Sequence, residues 1–450
     1  MKRRIFLIFF FSCFGFIVYL LFNKSNHHNT KTIVTDSEQK QKRQNVTKQT
    51  VLQLDIDDGS KTYWDFPWYQ AKHTRPRFKP NVNITTTHRT PEERLAIQRL
   101  AVEKAKRLAD KILGIQTLRG TRLADQHPQK TLEFRQMVDC WLTQGQWVKK
   151  EDVFHLKHIQ DPLYSTCDKQ NRKESLAYEW VISNQCPATA PSSSHFKAVD
   201  SQRWCKAING RHMLLVGDLV HYQYHEVLLD AFRTEPSVCY GELNCKDHTI
   251  CSDGTTNGEQ EDTRLRYIRN DILSTRRRPP QNAITHIASA YPNIIEWPFA
   301  TTQLLTTYPI LILSRTAVLN DSDDQFTKQL LHTLKLIRDH APNTLIIYTS
   351  SMIGHPFCQD ARHPLLQPNG FTDEHYAKLP YGWSETQRRN AIARVIIEAS
   401  GGLFLDVTEK MLSTRPDGHI AKHGDCSRYC IPGPLDSLIP LLYNIFIQLL

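Results

Sequence analysis

Three patterns of apolar and polar positions follow one another along the chain. Ile5 to Phe22 is an unbroken apolar run without a charged side chain, long enough for a short bilayer span. From Asn23 to about Ser60 the residues are chiefly Lys, Gln, Thr, Asn and His, which predicts a solvated stem. Apolar positions return at Trp64, Phe66 and Trp68. Thr90-Pro91-Glu92-Glu93 then supplies an N-cap, a proline in the first turn and an acid at the third helical position, so a helix is expected to run to Gly114. Ala101, Ala105, Leu108 and Ile112 share one face of it. That face is expected to pack on the chain's own domain, with a stalk pairing to a partner as the alternative.

Beyond Cys140, apolar strand patterns at 213–216, 283–287, 310–313, 345–348 and 403–407 alternate with helical ones. The helices are expected from 219 through Phe232 and at 326–340, 384–399 and 436–450. Alternation of this kind predicts an α/β domain with a parallel sheet covered on both faces. The segment 237–262, with three cysteines among Gly, Asp and Asn, reads as a disulfide-held loop insertion. The expected organisation is a cytoplasmic tail and anchor at 1–22, a stem at 23–60, a helical linker or stalk at 61–139 and one domain at 140–450.

Charge and cysteine usage assign a compartment to this layout. Lys2-Arg3-Arg4 precedes the apolar run, which keeps the N-terminus cytoplasmic and puts everything after Asn23 in the lumen. No small-residue cleavage site follows Leu20, Leu21 and Phe22, so an uncleaved type II anchor is expected rather than a signal peptide. A short span suits the thinner membranes of the Golgi or endoplasmic reticulum. Of the 11 cysteines, Cys13 lies in the run, and the remaining even set fits an oxidising lumen. Asn45, Asn83 and Asn320 each open a glycosylation sequon. The net charge of +10 is spread over interspersed signs, which speaks against a nucleic-acid surface and leaves acidic glycans or lipid head groups as partners.

Two segments carry candidate chemistry. MLLVGDL at 213–219 sets Gly217 and Asp218 on a strand-to-helix turn, where open α/β sheets hold ligands. DCSRYCIPGPLD at 425–436 places Asp425 and Arg428 between cysteines ahead of the last helix. With Cys140, Gly145 and Trp147, then Pro162-Leu163-Tyr164, Cys167, Tyr178, Trp180 and Cys186, then Gly354-His355-Pro356 and Cys358, and RPDGH at 415–419, they stand in a familiar order. Over 140–450 the chain resembles the PC-esterase and trichome-birefringence-like proteins, an SGNH-hydrolase-like branch that includes Golgi polysaccharide O-acetyltransferases. The resemblance implies a flavodoxin-like parallel sheet flanked by helices and stapled by disulfides. It also implies the pairs Cys140 with Cys186, Cys167 with Cys430, and Cys358 with Cys426, leaving Cys205, Cys239, Cys245 and Cys251 for two more.

The departures from that family bear directly on mechanism. Where it has a nucleophilic serine after Gly-Asp, this chain has Leu219, which has no atom that can attack. Where it has the histidine base, this chain has Arg428, whose guanidinium cannot accept a proton. Of the family-equivalent positions Asp218, Leu219, Asp425 and Arg428, only the aspartates keep their type. The middle block, which lends oxyanion support in the family, reads Ser314-Arg315-Thr316 here, with Thr316 at its glycine position. Gly217, His221, Arg315, His355 and His419 are candidate binding residues around the altered site. His221 and His225 sit four apart on one helix, but no third ligand or HExxH pattern accompanies them, so no metal or other cofactor is expected. The expected function is therefore binding of a polysaccharide or glycoprotein glycan, or of an active paralogue, in a cleft bounded by Leu219, Arg428 and the loops 314–325 and 354–380. The alternatives are an active polysaccharide O-acetyltransferase or acyl esterase with a different nucleophile, and a purely structural membrane-tethered partner.

Overall fold

The computed structural model describes residues 90–150, 177–186, 197–232, 247–251, 263–276, 295–316, 322–352, 354–355, 358–368, 386–421 and 426–450. The anchor and stem, the three sequons, the strand expected at 283–287, and Cys13, Cys167, Cys239, Cys245 and Asp425 lie outside the described residues. Among the described residues, no helix is long and apolar enough to cross a membrane.

The fold is mixed α/β, with a parallel-rich sheet flanked by helices. Strands β3 (Met213–Gly217), β6 (Ile310–Leu313), β7 (Leu345–Thr349) and β8 (Leu403–Leu405) appear where continuous apolar runs predict them. Every residue of these strands is buried, as a parallel sheet covered on both faces requires. β4 (Asp247–Ile250) and β5 (Thr263–Arg269) complete a sheet of order β4-β5-β3-β6-β7-β8. β5, β3, β6, β7 and β8 run parallel, and β4 pairs antiparallel at the edge. Taken in chain order, the parallel strands are arranged 2-1-3-4-5, a doubly wound order that reverses direction between β3 and β6. The carboxyl ends of those two strands thus flank the crevice where such sheets hold ligands.

The helices are α1 (Pro91–Ile112), α2 (Pro128–Thr143), α3 (Ser201–Ile208), α4 (Leu219–Phe232), α5 (Thr302–Thr307), α6 (Asp323–His340), α7 (Thr386–Ala399) and α8 (Leu438–Leu449). Successive strand residues point to opposite faces. Leu215, Tyr267, Ile312 and Ile347 meet α2, α3, α4 and α8 on one face, while Val216, Leu313, Ile346 and Tyr348 meet α1, α5, α6 and α7 on the other.

α1 begins with the expected capping box, Thr90 accepting from Glu93 N at 3.2 Å and Glu93 from Thr90 N at 2.9 Å. It ends before Gly114, whose φ of +62° suits glycine. Its apolar face packs on the domain through Ala105 and Ala109, whereas Ile112 is 42% exposed. Together with Leu118 and with Phe134, Met137 and Val138 of α2, these residues join the core. α1 thus packs on the domain, as its apolar face leads one to expect, and α2 packs in the core as well.

A two-stranded antiparallel pair, β1 (Gly145–Lys149) and β2 (Tyr178–Ile182), lies against the C-terminal part of the chain. Trp147 and Trp180 meet edge to face at 5.5 Å, Trp180 Nε1 donates to Trp141 O at 2.9 Å, and Trp147 Nε1 donates to Met411 O at 2.9 Å. Disulfides join Cys140 to Cys186, Cys205 to Cys251 and Cys358 to Cys426. The first and third are pairs that the family resemblance implied. The segment read as a loop insertion carries β4, whose four residues are too short and too polar to show a strand pattern.

Candidate functional site

The turn after β3 is fixed from three directions. Asp218 Oδ1 accepts from Val220 N at 3.0 Å and His221 N at 3.2 Å, which caps α4. Tyr267 Oη donates to the carbonyls of Gly217 at 3.1 Å and Asp218 at 2.8 Å, and Asn270 N donates to Gly217 O at 3.2 Å. A side chain at Gly217 would put its Cβ 2.7 Å from the Cβ of His221, so the close approach of α4 to the strand end demands glycine. Leu219 opens α4 and is half-buried.

His221 lies beneath this turn. Its Nε2 donates to Ile312 O at 3.0 Å, and its buried Nδ1 has no hydrogen-bond partner. Burial lowers its pKa to about 4, opposed by the Ile312 bond and the Asp218 charge. His225, one turn further, is also fully buried and stacks on Tyr222 at 6.2 Å. Among the described residues, no cluster of three or more His, Cys, Asp or Glu side chains could hold a metal ion.

Across the crevice, Ser314 N donates to Val216 O at 2.9 Å, carrying the pairing of β6 with β3 past the strand ends. Arg315 is buried, stacks over Phe326 at 4.5 Å and donates to Gln329 Oε1 at 2.7 Å. Its carbonyl accepts from Ser351 Oγ, and Thr316 N donates to Asp271 O at 2.8 Å. Asp271 is buried after β5, ion-paired to Arg269 at 3.0 Å and accepting from Ile295 N at 2.8 Å. Burial raises its pKa to about 6 against the pull of Arg269, and the Asp218 charge adds to the rise. After β7, Ser351 N donates to Asn390 Oδ1 at 2.8 Å, Asn390 Nδ2 to Thr408 Oγ1 at 3.0 Å, and Thr408 Oγ1 to Ser350 Oγ at 2.9 Å. The hydroxyls of Ser350 and Ser351 are thus engaged in holding loops.

The C-terminal segment docks on α4 through one amide. Gln223 donates to Tyr429 O at 2.6 Å and accepts from Tyr429 N at 2.9 Å, a two-bond clamp one turn after Leu219. Arg428, the neighbour of the clamped residue, is only 5% exposed. His355 and His419 are both buried and hydrogen-bonded ring to ring, Nδ1 to Nε2. Carbonyls also face their outer nitrogens, Ser413 O at 2.9 Å from His355 Nε2 and Arg428 O at 3.1 Å from His419 Nδ1. Burial holds His355 down at about 4, so its ring is neutral at ordinary pH. Arg415 and Asp417 form a fully buried bidentate pair at 2.8 and 3.0 Å, with Arg415 stacked 4.4 Å over Trp147. The Cys358–Cys426 bridge ties the two histidine-bearing segments together.

The structure therefore brings Gly217, Asp218, Leu219 and His221 to the end of β3, with Arg315 at the end of β6. It groups His355, His419 and Arg428 in a second cluster clamped to α4. His221, Arg315, His355 and His419 make their contacts within the protein. Sequence reasoning missed Asp271, Gln223 and Asn390, each a lone polar residue outside any motif. The one available signal was the apolar alternation of Leu265 and Tyr267 in TRLRYIR, which marks a strand ending just before Asn270 and Asp271. No protein-family model matches the chain, and neither does any curated protein.

Proposed function

We propose that this chain is a catalytically silent relative of the PC-esterase and trichome-birefringence-like proteins, with an SGNH-hydrolase-like domain that works by binding a glycan or a partner protein. The reading includes a type II anchor and a luminal site of action in the Golgi or endoplasmic reticulum. What supports it is that Leu219 follows Gly217-Asp218 and Arg428 stands three residues after Asp425, where the resemblance puts the family's nucleophile and base. Acyl transfer by that route needs a hydroxyl that attacks and an imidazole that takes its proton, and an isobutyl group and a permanent cation supply neither.

Several features support the reading. The doubly wound strand order sets Leu219 at the point of reversal, and the Gln223 clamp holds the backbone beside Arg428 against the same helix. Three disulfides among the described residues suit an oxidising lumen. Polar groups around the turn, Asp218, Tyr267 and Ser351, are used to hold backbone.

The test is an assay of the chain from Asn23 onward against a chromogenic acetyl ester and against saccharide acceptors, beside the Leu219→Ser/Arg428→His double variant. The unmodified chain is expected to give no turnover above background while binding a subset of an immobilised glycan set. Turnover by the unmodified chain that vanishes when another side chain is changed would overturn the binding-only reading. It would instead identify an active O-acetyltransferase or esterase with its own nucleophile.

A further inference from the structure

At the amino end of the sheet, one strand length from Gly217, lies a cavity of about 430 Å³. Arg264 and Arg266 of β5 line it, two residues apart and hence on the same face of the strand. His212, just ahead of β3, forms another wall, with Gln303 and Thr307 of α5 and the ring of Tyr308. The volume lies in the range of small-molecule sites.

The charges in this cavity are unbalanced. Asp247 on β4 reaches Arg264 Nη1 at 3.4 Å, a long ion pair. Among the described residues, the side chain of Arg266, which faces Asp247 in the β4–β5 register, makes no ion pair or hydrogen bond, and its Nε is shielded from solvent without an acceptor. A guanidinium with a buried, unmatched N–H is costly unless an acceptor arrives. His212 Nδ1 accepts from Arg264 N at 3.2 Å, which puts the proton of the neutral ring on Nε2 and makes that nitrogen a further donor. The cavity therefore gathers two guanidinium groups and an imidazole N–H beside one carboxylate. Planar and tetrahedral oxyanions match guanidinium donors in just this way.

We propose that this cavity binds an oxyanion borne on a saccharide, a carboxylate, sulfate or phosphate ester, with Arg266 as its principal partner. Gln303 supplies a neutral amide for sugar hydroxyls, and the Thr307 hydroxyl, which donates to Gln303 O at 2.8 Å, supplies an acceptor. The site is separate from the Leu219 edge and does not depend on whether that edge is catalytically silent.

Isothermal titration of the full chain with a uronate disaccharide, a sulfated disaccharide, their neutral counterpart and inorganic sulfate tests the proposal. An acidic saccharide is expected to bind with a millimolar or tighter dissociation constant and the neutral one not to bind. Arg266→Met should weaken binding about tenfold or more, and Arg266→Lys by less. Melting curves confirm that each variant is folded. If inorganic sulfate binds as tightly as the sulfated sugar and with the same dependence on Arg266, the oxyanion alone is recognised and the saccharide half of the proposal falls. Equal binding of neutral and acidic sugars, unchanged binding by both folded Arg266 variants, or no heat from any ligand overturns the site altogether.

Discussion

Asp271 and His221 place opposite demands on the turn that joins β3 to α4. Asp271 has a pKa raised from 3.8 to about 6 in the fold, so between those values the folded chain holds a proton that the unfolded chain has lost. Its contribution to stability is present at low pH and is lost as pH rises through about 6. His221 is lowered from 6.5 to about 4, so the unfolded chain holds the extra proton, and stability is lost as pH falls from 6.5 towards 4. The two effects oppose one another over a shared window, each by at most about 3 kcal/mol. Relative to the unaltered chain, Asp271→Asn should make stability rise more steeply with pH across that window, and His221→Asn should make it fall. Urea unfolding at intervals from about pH 4 to 7 reads both slopes, and parallel profiles for all three chains would refute the assignment. At Gly217, a methyl group would be forced to within 2.7 Å of His221 Cβ. Gly217→Ala is expected to lower unfolding free energy by about 1–3 kcal/mol, the usual cost of overpacking. A variant that melts like the unaltered chain would show that α4 can move away.

Between elements, single polar side chains do much of the joining. Arg338 of α6 is buried and donates to the carbonyls of Ser400 at 2.7 Å, Pro342 at 3.1 Å, Thr344 at 2.6 Å and Gly401 at 3.3 Å. Those carbonyls belong to the turns that lead into β7 and β8, so one guanidinium sets where both strands start. Burial brings its pKa down to about 9, which leaves it charged at neutral pH. Arg338→Met should cost about 3 kcal/mol because it strands buried acceptors, and Arg338→Lys somewhat less. A loss below half a kcal/mol on urea titration would mean that water replaces the arginine. Such contacts also explain what could be read beforehand. β6 and β7 were legible because a strand buried on both faces must be apolar throughout, and α1 because its cap is local. β5 hid behind Arg264, Arg266 and Arg269, and β8 ends at Leu405, two residues early, because Asp406 accepts from Glu409 N at 3.1 Å and starts a turn. The glycine-aspartate turn was visible as a motif. The Gln223–Tyr429 clamp spans a separation of 206 residues and had no local trace.

At the scale of the whole molecule, the three bridges that join described residues fasten the periphery while the sheet is held by apolar burial. Cys205–Cys251 ties α3 to the end of edge strand β4, and Cys140–Cys186 closes α2 onto the β1–β2 pair. Cys358–Cys426 differs from them in what it restrains. It closes 68 residues that include α7, β8 and the Arg415–Asp417 pair, and it adjoins the segments whose His355 and His419 rings meet. Its removal should therefore act on the C-terminal cluster before it acts on the core. In the Cys358→Ala/Cys426→Ala chain, about 2–4 kcal/mol of stability should be lost. Amide exchange should quicken first at Tyr429 and Cys430, whose N–H groups bond Gln223 Oε1 at 2.9 Å and Gly418 O at 2.9 Å, while β6 and β7 amides remain protected. Gln223→Leu should reproduce the local effect on Tyr429 with the bridge intact, because it removes the clamp alone. If exchange in the double-cysteine variant instead accelerates uniformly through the central strands, the C-terminal cluster and the sheet unfold as one unit, and the edge that carries Leu219 is no more mobile than the core beneath it.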